Sequence, residues 1–191
     1  RGDIPEAFAY RRAADGRSST STHSSSLLTM TASPASFQHE PVMVDEIVAL
    51  FEMVPAGFVL DATLGGGGHS EQLLERWPQI GILGIDRDAD ALSAAQTRLA
   101  RFGDRLRVYH CRFDRLDDAM TALSIDTLSG ALFVLGVSSP QLDLAERGFS
   151  YRNNGALDMR MDRRLPETAA DLLNRMSEDE LLRIFLESGY G

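Results

Sequence analysis

From Val42 onward the apolar positions switch repeatedly between helical and strand-like spacing. Val42, Ile47, Val48, Leu50 and Phe51 follow a helical period, and Pro55-Ala56-Gly57 stops it. A short apolar run over 58–60 predicts a first strand, 69–77 a helix, and 82–85 a second strand. Over 88–102, Ala91, Leu92, Ala95 and Leu99 share one helical face. A third strand is expected over 106–110 and a third helix of this series over 116–123. Residues 130–137, GALFVLGV, form an unbroken apolar run, as expected of a strand buried on both faces of a parallel sheet. Strict alternation of strand and helix predicts an α/β fold with right-handed crossovers.

The two ends of the chain read differently. Residues 1–36 carry no apolar period, and Ser18 to Ser26 is nearly all serine and threonine. Such a stretch buries too little apolar surface to offset its ordering entropy, so a disordered leader is expected. It lacks the apolar core of a secretory signal, and Asp3, Glu6 and Asp15 argue against an organelle transit peptide. The chain opens on Arg1, and Met30 precedes the patterned part, so residues 1–29 are expected to lie outside the natural protein. After Ser138 the pattern gives way to glycine-, arginine- and acid-rich loops over 140–165. Leu165-Pro166-Glu167-Thr168 then leads into an apolar pattern through Ala169, Leu172 and Leu173. Ser177 caps a last helix over 178–186, with Glu180 completing a capping box. The expected organisation is a leader (1–36), a nucleotide-binding α/β domain (37–139), and the start of a helical substrate domain (140–191). Four strands make an incomplete doubly wound sheet, which predicts that the C-terminal part is missing.

The chemistry concentrates in one βαβ unit. The first strand ends in Asp61-Ala62-Thr63, four glycines (Gly65 to Gly68) follow, a helix opens at His69, and the second strand closes on Asp86. Glycine turns of this kind permit positive φ and let the backbone approach a ligand. A carboxylate closing the next strand, 21 residues after Gly65, can accept from both hydroxyls of a ribose. Together they predict a site for an adenosine-bearing cofactor.

Composition narrows the classes. The 43% apolar content permits a sizeable core, and no apolar run approaches the roughly 20 residues that span a bilayer. The lone Cys111 excludes a disulfide framework and fits a reducing, cytoplasmic compartment. A net charge of −9 argues against gripping nucleic acid with the whole surface. One arginine-dense stretch remains, with Arg147, Arg152, Arg160, Arg163 and Arg164 inside 18 residues. It is either a solvated face or a phosphate contact.

From His39 to the end the chain resembles the bacterial 16S ribosomal RNA cytosine-N4 methyltransferases (the MraW/RsmH family). The resemblance rests on His39-Glu40-Pro41-Val42-Met43, on Asp61-Ala62-Thr63 with the glycines and His69-Ser70, and on Gly84-Ile85-Asp86-Arg87-Asp88. It rests above all on GVSSPQLDLAERGFSY over 136–151 and LDMRMD over 157–162. It implies a class I methyltransferase, Rossmann-like fold, S-adenosylmethionine as donor, a 16S rRNA cytidine of the small ribosomal subunit as acceptor, and a helical domain inserted after the fourth strand. Carried over residue by residue, it implies cofactor contacts from Gly67, Gly68, His69 and Asp86, with Phe113 beside the adenine and Gln141 after the fourth strand. Core packing is the alternative for Phe113, and a helix-start residue without a ligand the alternative for His69. The family's fourth strand reads aspartate-leucine-glycine-valine-serine-serine, whereas this chain has Val134 at the first position; Ser129 likewise stands where the family usually has an acid.

The exocyclic N4 of cytosine is a weak nucleophile, so its methylation needs alignment and an acceptor for its protons. Ser138-Ser139-Pro140-Gln141 stands where amino-methyltransferases often carry a polar-Pro-Pro-aromatic motif. Ser139 is the candidate acceptor; a tight strand-exit turn without a catalytic part is the other reading. The base must be unstacked to reach such a pocket, which makes Arg147, Arg152 and Arg160 candidates for its flanking phosphates. Two rivals stand beside methyl transfer. An NAD-dependent oxidoreductase would use a similar loop and acid, although Ser70 takes the third glycine's place. A catalytically impaired rRNA-binding or assembly module is the stronger rival, motivated by Val134.

Overall fold

The computed structural model describes residues 41–189, so the predicted leader lies outside the described residues. The elements run α1 (Val44–Leu50), β1 (Gly57–Asp61), α2 (Gly68–Arg76), β2 (Ile80–Asp86), α3 (Ala89–Leu99), β3 (Leu106–His110), α4 (Leu116–Ala122), β4 (Leu128–Leu132), α5 (Ser139–Asp143), α6 (Ala169–Arg175) and α7 (Glu178–Glu187). All four strands are parallel, in the order β3-β2-β1-β4. The fold is therefore an α/β, Rossmann-like parallel sheet with four strands among the described residues.

Strand alternation explains the two layers. Val59, Ile80 and Ile82 pack with Phe51, Leu73 and Leu74, whereas Leu60, Leu83 and Ile85 pack with Ala119 and Ile125 on the opposite face. Helices α1 and α2 thus cover one side of the central strands and α4 the other. A third cluster joins Leu64 to Leu92, Ala95 and Leu99 of α3. It depends on Gly84, where any Cβ would sit 2.7 Å from Leu64 Cδ2. The strand register brings Asp61, Asp86 and the residues after β3 and β4 to one carboxyl edge of the sheet.

Helix α2 opens one residue earlier than the pattern suggests, with Gly67 as a left-handed N-cap at φ 78. Helix α3 ends at Leu99 rather than continuing to 102, and passes into a 3-10 segment, Ala100–Arg105, kinked at Gly103. The expected strand over 130–137 needs a larger correction. β4 is Leu128–Leu132, and the run beyond it is irregular and exposed, with Phe133 at 50% and Leu135 at 71%. Its only ladder partner among the described residues is β1, which ends at Asp61 opposite Leu132. Beyond that point nothing remains to pair with, so apolar text alone does not extend the strand. Ser129, within β4, donates its hydroxyl to Ala56 O at 3.2 Å. The capping box of Ser177 with Glu180 opens α7 as expected, and the structure adds a second one, Thr168 with Asp171, at the start of α6.

Candidate functional site

The site grows from the ends of β1 and β2. Asp61 is buried at 2% exposure; its Oδ2 accepts the Ser70 hydroxyl at 2.7 Å and its Oδ1 the Thr63 N–H at 3.3 Å. Burial pushes the Asp61 carboxyl above its ordinary value, and the Ser70 hydrogen bond offsets part of that. Ser70 therefore fastens the first turn of α2 to the strand it follows.

Asp86 reaches across to the glycine loop. Its Oδ2 accepts from Gly65 N at 2.8 Å and its Oδ1 from Asp88 N at 2.9 Å. Each carboxylate oxygen keeps a further lone pair, so the group can still accept from a vicinal diol. The four glycines differ in what surrounds them. Gly65 and Gly67 hold φ of 53° and 78°. A Cβ on Gly67 would lie 2.9 Å from Leu99 Cδ1 and 3.3 Å from Ala95 Cβ, and one on Gly68 would lie 2.6 Å from Pro41 Cγ. A Cβ on Gly66 would meet nothing within 4 Å. A side chain at Gly67 or Gly68 would thus collide with α3 or Pro41, whereas one at Gly66 would meet open space. His69 turns toward the chain before α1, its Nε2 2.8 Å from Val42 O.

The loops leaving the two outer strands meet above the sheet. Phe113, after β3, stands edge-on to Phe133, after β4, with ring centroids 6.0 Å apart and planes at 82°. Both rings are half exposed, Phe113 at 51%, so apolar surface remains for a flat heterocycle. Val134 N donates to Thr63 Oγ1 at 2.8 Å, holding the strand exit against the start of the glycine loop. Ser138 and Ser139, half-buried, lead into α5 with Pro140 in its first turn. Gln141 is buried; its Oε1 accepts from Ser138 N at 3.0 Å and its Nε2 donates to Asp88 Oδ2 at 2.9 Å. Two of its polar groups are thus committed within the protein.

The arginines separate. Arg147 is only 3% exposed and donates from Nη2 to Asp88 Oδ2 at 2.7 Å. It is an internal anchor, which overturns its assignment to a flanking phosphate: a buried guanidinium already paired cannot reach a nucleic-acid backbone. Burial of Asp88 works against its ionisation, but hydrogen bonds from Arg147 and Gln141 win and hold its carboxyl below the ordinary value. Arg160 is held by both oxygens of Asp158 and by Leu165 O. That pairing holds Asp158 down at about 2. Arg152 remains exposed, its guanidinium 5.7 Å from the Tyr151 ring centroid.

Sequence spacing brings Gly65, Asp86 and the turn 138–141 into one site, and the structure joins them through Asp88. Asp88, Ser70, Thr63 and Phe133 were missed as site residues. Asp88 carries a legible signal, since it directly precedes α3 as an N-cap. Phe133 is hidden because the apolar run reads as buried strand. Among the described residues no cluster of three or more His, Cys, Asp or Glu side chains is placed to hold a metal ion. No helix among them is long and apolar enough to cross a membrane.

Residues 36–191 match the model of the MraW methylase family. Similar curated proteins include "Ribosomal RNA small subunit methyltransferase H" of Pelobacter propionicus, 50% identical over 157 residues that cover 81% of this chain and 50% of the relative. The protein of the same name in Parafrankia sp. is 45% identical over 154 residues, covering 79% of this chain and 47% of the relative. That of Anaeromyxobacter sp. is 50% identical over 155 residues, covering 81% and 49%. The chain spans about half the length of the curated relatives it matches. With the glycine loop, the strand-ending acid and the serine-rich turn arranged around one edge of the sheet, the chain belongs to the MraW methylase family.

Proposed function

We propose that this chain carries the cofactor half of an enzyme that methylates the N4 amine of a cytidine in small-subunit (16S) ribosomal RNA, using S-adenosylmethionine in the cytoplasm. The observation that carries the proposal is the family match together with the Gly65–Asp86 hydrogen bond, which ties the glycine loop to the acid that ends β2. The names of the curated relatives support ribosomal RNA as the substrate.

The residues fit the cofactor. Asp86 offers acceptors to the ribose, the open face at Gly66 leaves room for backbone approach, and Phe113 with Phe133 offers an apolar surface to the adenine. When bound, S-adenosylmethionine supplies an electrophilic methyl group on a sulfonium. The rest falls to the protein. Ser139, at the start of α5, accepts a hydrogen bond from the target amine through its hydroxyl or carbonyl, which orients the nitrogen lone pair. Pro140 fixes the turn that carries it. The exposed Arg152 steadies a phosphate beside the flipped base.

The test is equilibrium binding of S-adenosylhomocysteine, followed by methyl transfer to small-subunit RNA and mass analysis of the released nucleosides. Asp86→Ala should weaken cofactor binding by about 1.5–3 kcal/mol, the worth of hydrogen bonds to a charged group. Parent-like binding by that variant would place the cofactor elsewhere, and a methylated base other than N4-methylcytidine would overturn the substrate.

One observation favours a second reading, a catalytically impaired rRNA-binding module. Val134 stands at the carboxyl edge of the sheet, 40% exposed, and offers no acceptor to a cationic ligand. If that reading holds, Val134→Asp should tighten cofactor binding; a carboxylate without effect on affinity would leave the valine neutral and the reading without support.

A further inference from the structure

Asp88 is tied to three parts of the site at once. Its N–H donates to Asp86 Oδ1 at 2.9 Å, its Oδ1 caps α3 through Asp90 N at 3.1 Å, and its Oδ2 accepts from both Gln141 Nε2 and Arg147 Nη2. Gln141 in turn holds Ser138 N, the first residue of the turn that carries Ser139. Arg147 continues outward: its Nη2 also reaches Arg160 O at 3.2 Å and Met161 O at 3.3 Å, and its own carbonyl accepts from Met159 N at 3.0 Å. All three side chains at the centre of this arrangement are at least nine-tenths buried, with Asp88 and Arg147 at 3% and Gln141 at 5%. Two further contacts allow no slack nearby. A Cβ on Gly148 would lie 2.4 Å from Ala156 O, and one on Gly155 would lie 1.9 Å from Ala145 O. The segment after α5 is therefore folded tightly back toward the turn between β2 and α3.

We propose that Asp88 and Arg147 are positioning residues that join the ribose acid Asp86 to the acceptor turn 138–141, so that filling the cofactor side orders the acceptor side. This rests on the cofactor reading above. The physical reason is that a buried carboxylate can satisfy two donors only when both are correctly placed, and its backbone N–H is fixed to the group that would hold the ribose. A ligand diol that fixes Asp86 fixes Asp88, and through it Gln141 and the turn. By linkage the effect is reciprocal, so a disordered turn weakens the cofactor.

Hydrogen exchange on the whole chain, with and without S-adenosylhomocysteine, tests the coupling. In the parent the ligand should slow exchange of the Leu142 and Leu144 amides by about tenfold. Arg147→Lys keeps the charge but replaces the guanidinium fork by a single ammonium, and should remove most of that added protection. Asp88→Asn, which still caps α3, is the second variant and should behave alike. Amides of β1 and β2 serve as the folding control and should exchange as in the parent. Equal ligand-induced protection of Leu142 and Leu144 in parent and variants would overturn the coupling. If the parent fails to bind the ligand, the cofactor reading falls, and the unliganded comparison decides the joint. Faster exchange at Leu142 and Leu144 in Arg147→Lys, with β1 and β2 unchanged, then supports it; identical exchange overturns it.

Discussion

Gly66 and Gly67 are neighbours in the same loop, yet a methyl group added to each meets different surroundings. At Gly67 it would press on Leu99 and Ala95 from a backbone already at φ 78, so Gly67→Ala should lower stability by about 1–3 kcal/mol in denaturant titrations. At Gly66 it would enter open space, so Gly66→Ala should melt like the parent and act on cofactor affinity instead. A matched loss of stability in both variants would show that the loop has no open side. The residue types at this loop were legible in the sequence; their division of labour was not, because it depends on Ala95 and Leu99 of α3, far along the chain from the loop. Arg147 teaches the same lesson more sharply. In a cluster of arginines it looks like a surface cation, and only its partner 59 positions away makes it an internal one.

Helix α2 ends under a clamp from a distant arginine. Arg105 donates to the carbonyls of Leu74, Trp77 and Ile80 at 2.8–2.9 Å, tying the end of the helix and the following turn to the start of β2. Arg105→Met should cost at least about 1.5–3 kcal/mol, with the loss seen first as faster exchange near Trp77. A variant as stable as the parent would mean that water serves those carbonyls equally well. The loop over 157–165 makes a prediction in acid. Asp158 and Asp162 are held at about 2, against an ordinary 3.8, chiefly by hydrogen bonds from Arg160 and Arg164. A depressed carboxyl contributes stability above its ordinary value and loses it as pH falls through the folded one. Melting temperature should therefore drop between pH 3.8 and about 2, and Asp158→Asn should flatten part of that drop. Asp61 has the opposite sign: its raised carboxyl favours folding below the ordinary value and loses that contribution as pH rises. Helices and inner strands were legible here because both faces of β1 and β2 are covered, so their text is uniformly apolar. The outer strand misled because an edge gives an apolar run nowhere to pair once its single neighbour stops.

The 191 residues carry a net charge of −9, so under the proposed function ribosomal RNA would be met by local cations against a repelling field. Of the three arginines first read as phosphate contacts, Arg152 is the exposed one. Arg152→Gln should weaken RNA binding alike for all sequences and lower the slope of affinity against salt by about 1; an unchanged slope would remove Arg152 from the interface. The contact of Pro41 with Gly68 and the bond from His69 to Val42 O have a practical consequence for where the domain can be cut. Both lie ahead of the first helix, yet they brace the opening turn of α2 from outside. Trimming the chain to the sheet, from Gly57 onward, would retain every strand and the complete glycine loop while stripping away its splint. The smallest piece that keeps the glycine loop braced as it stands therefore begins no later than Pro41, well before the first strand of the sheet.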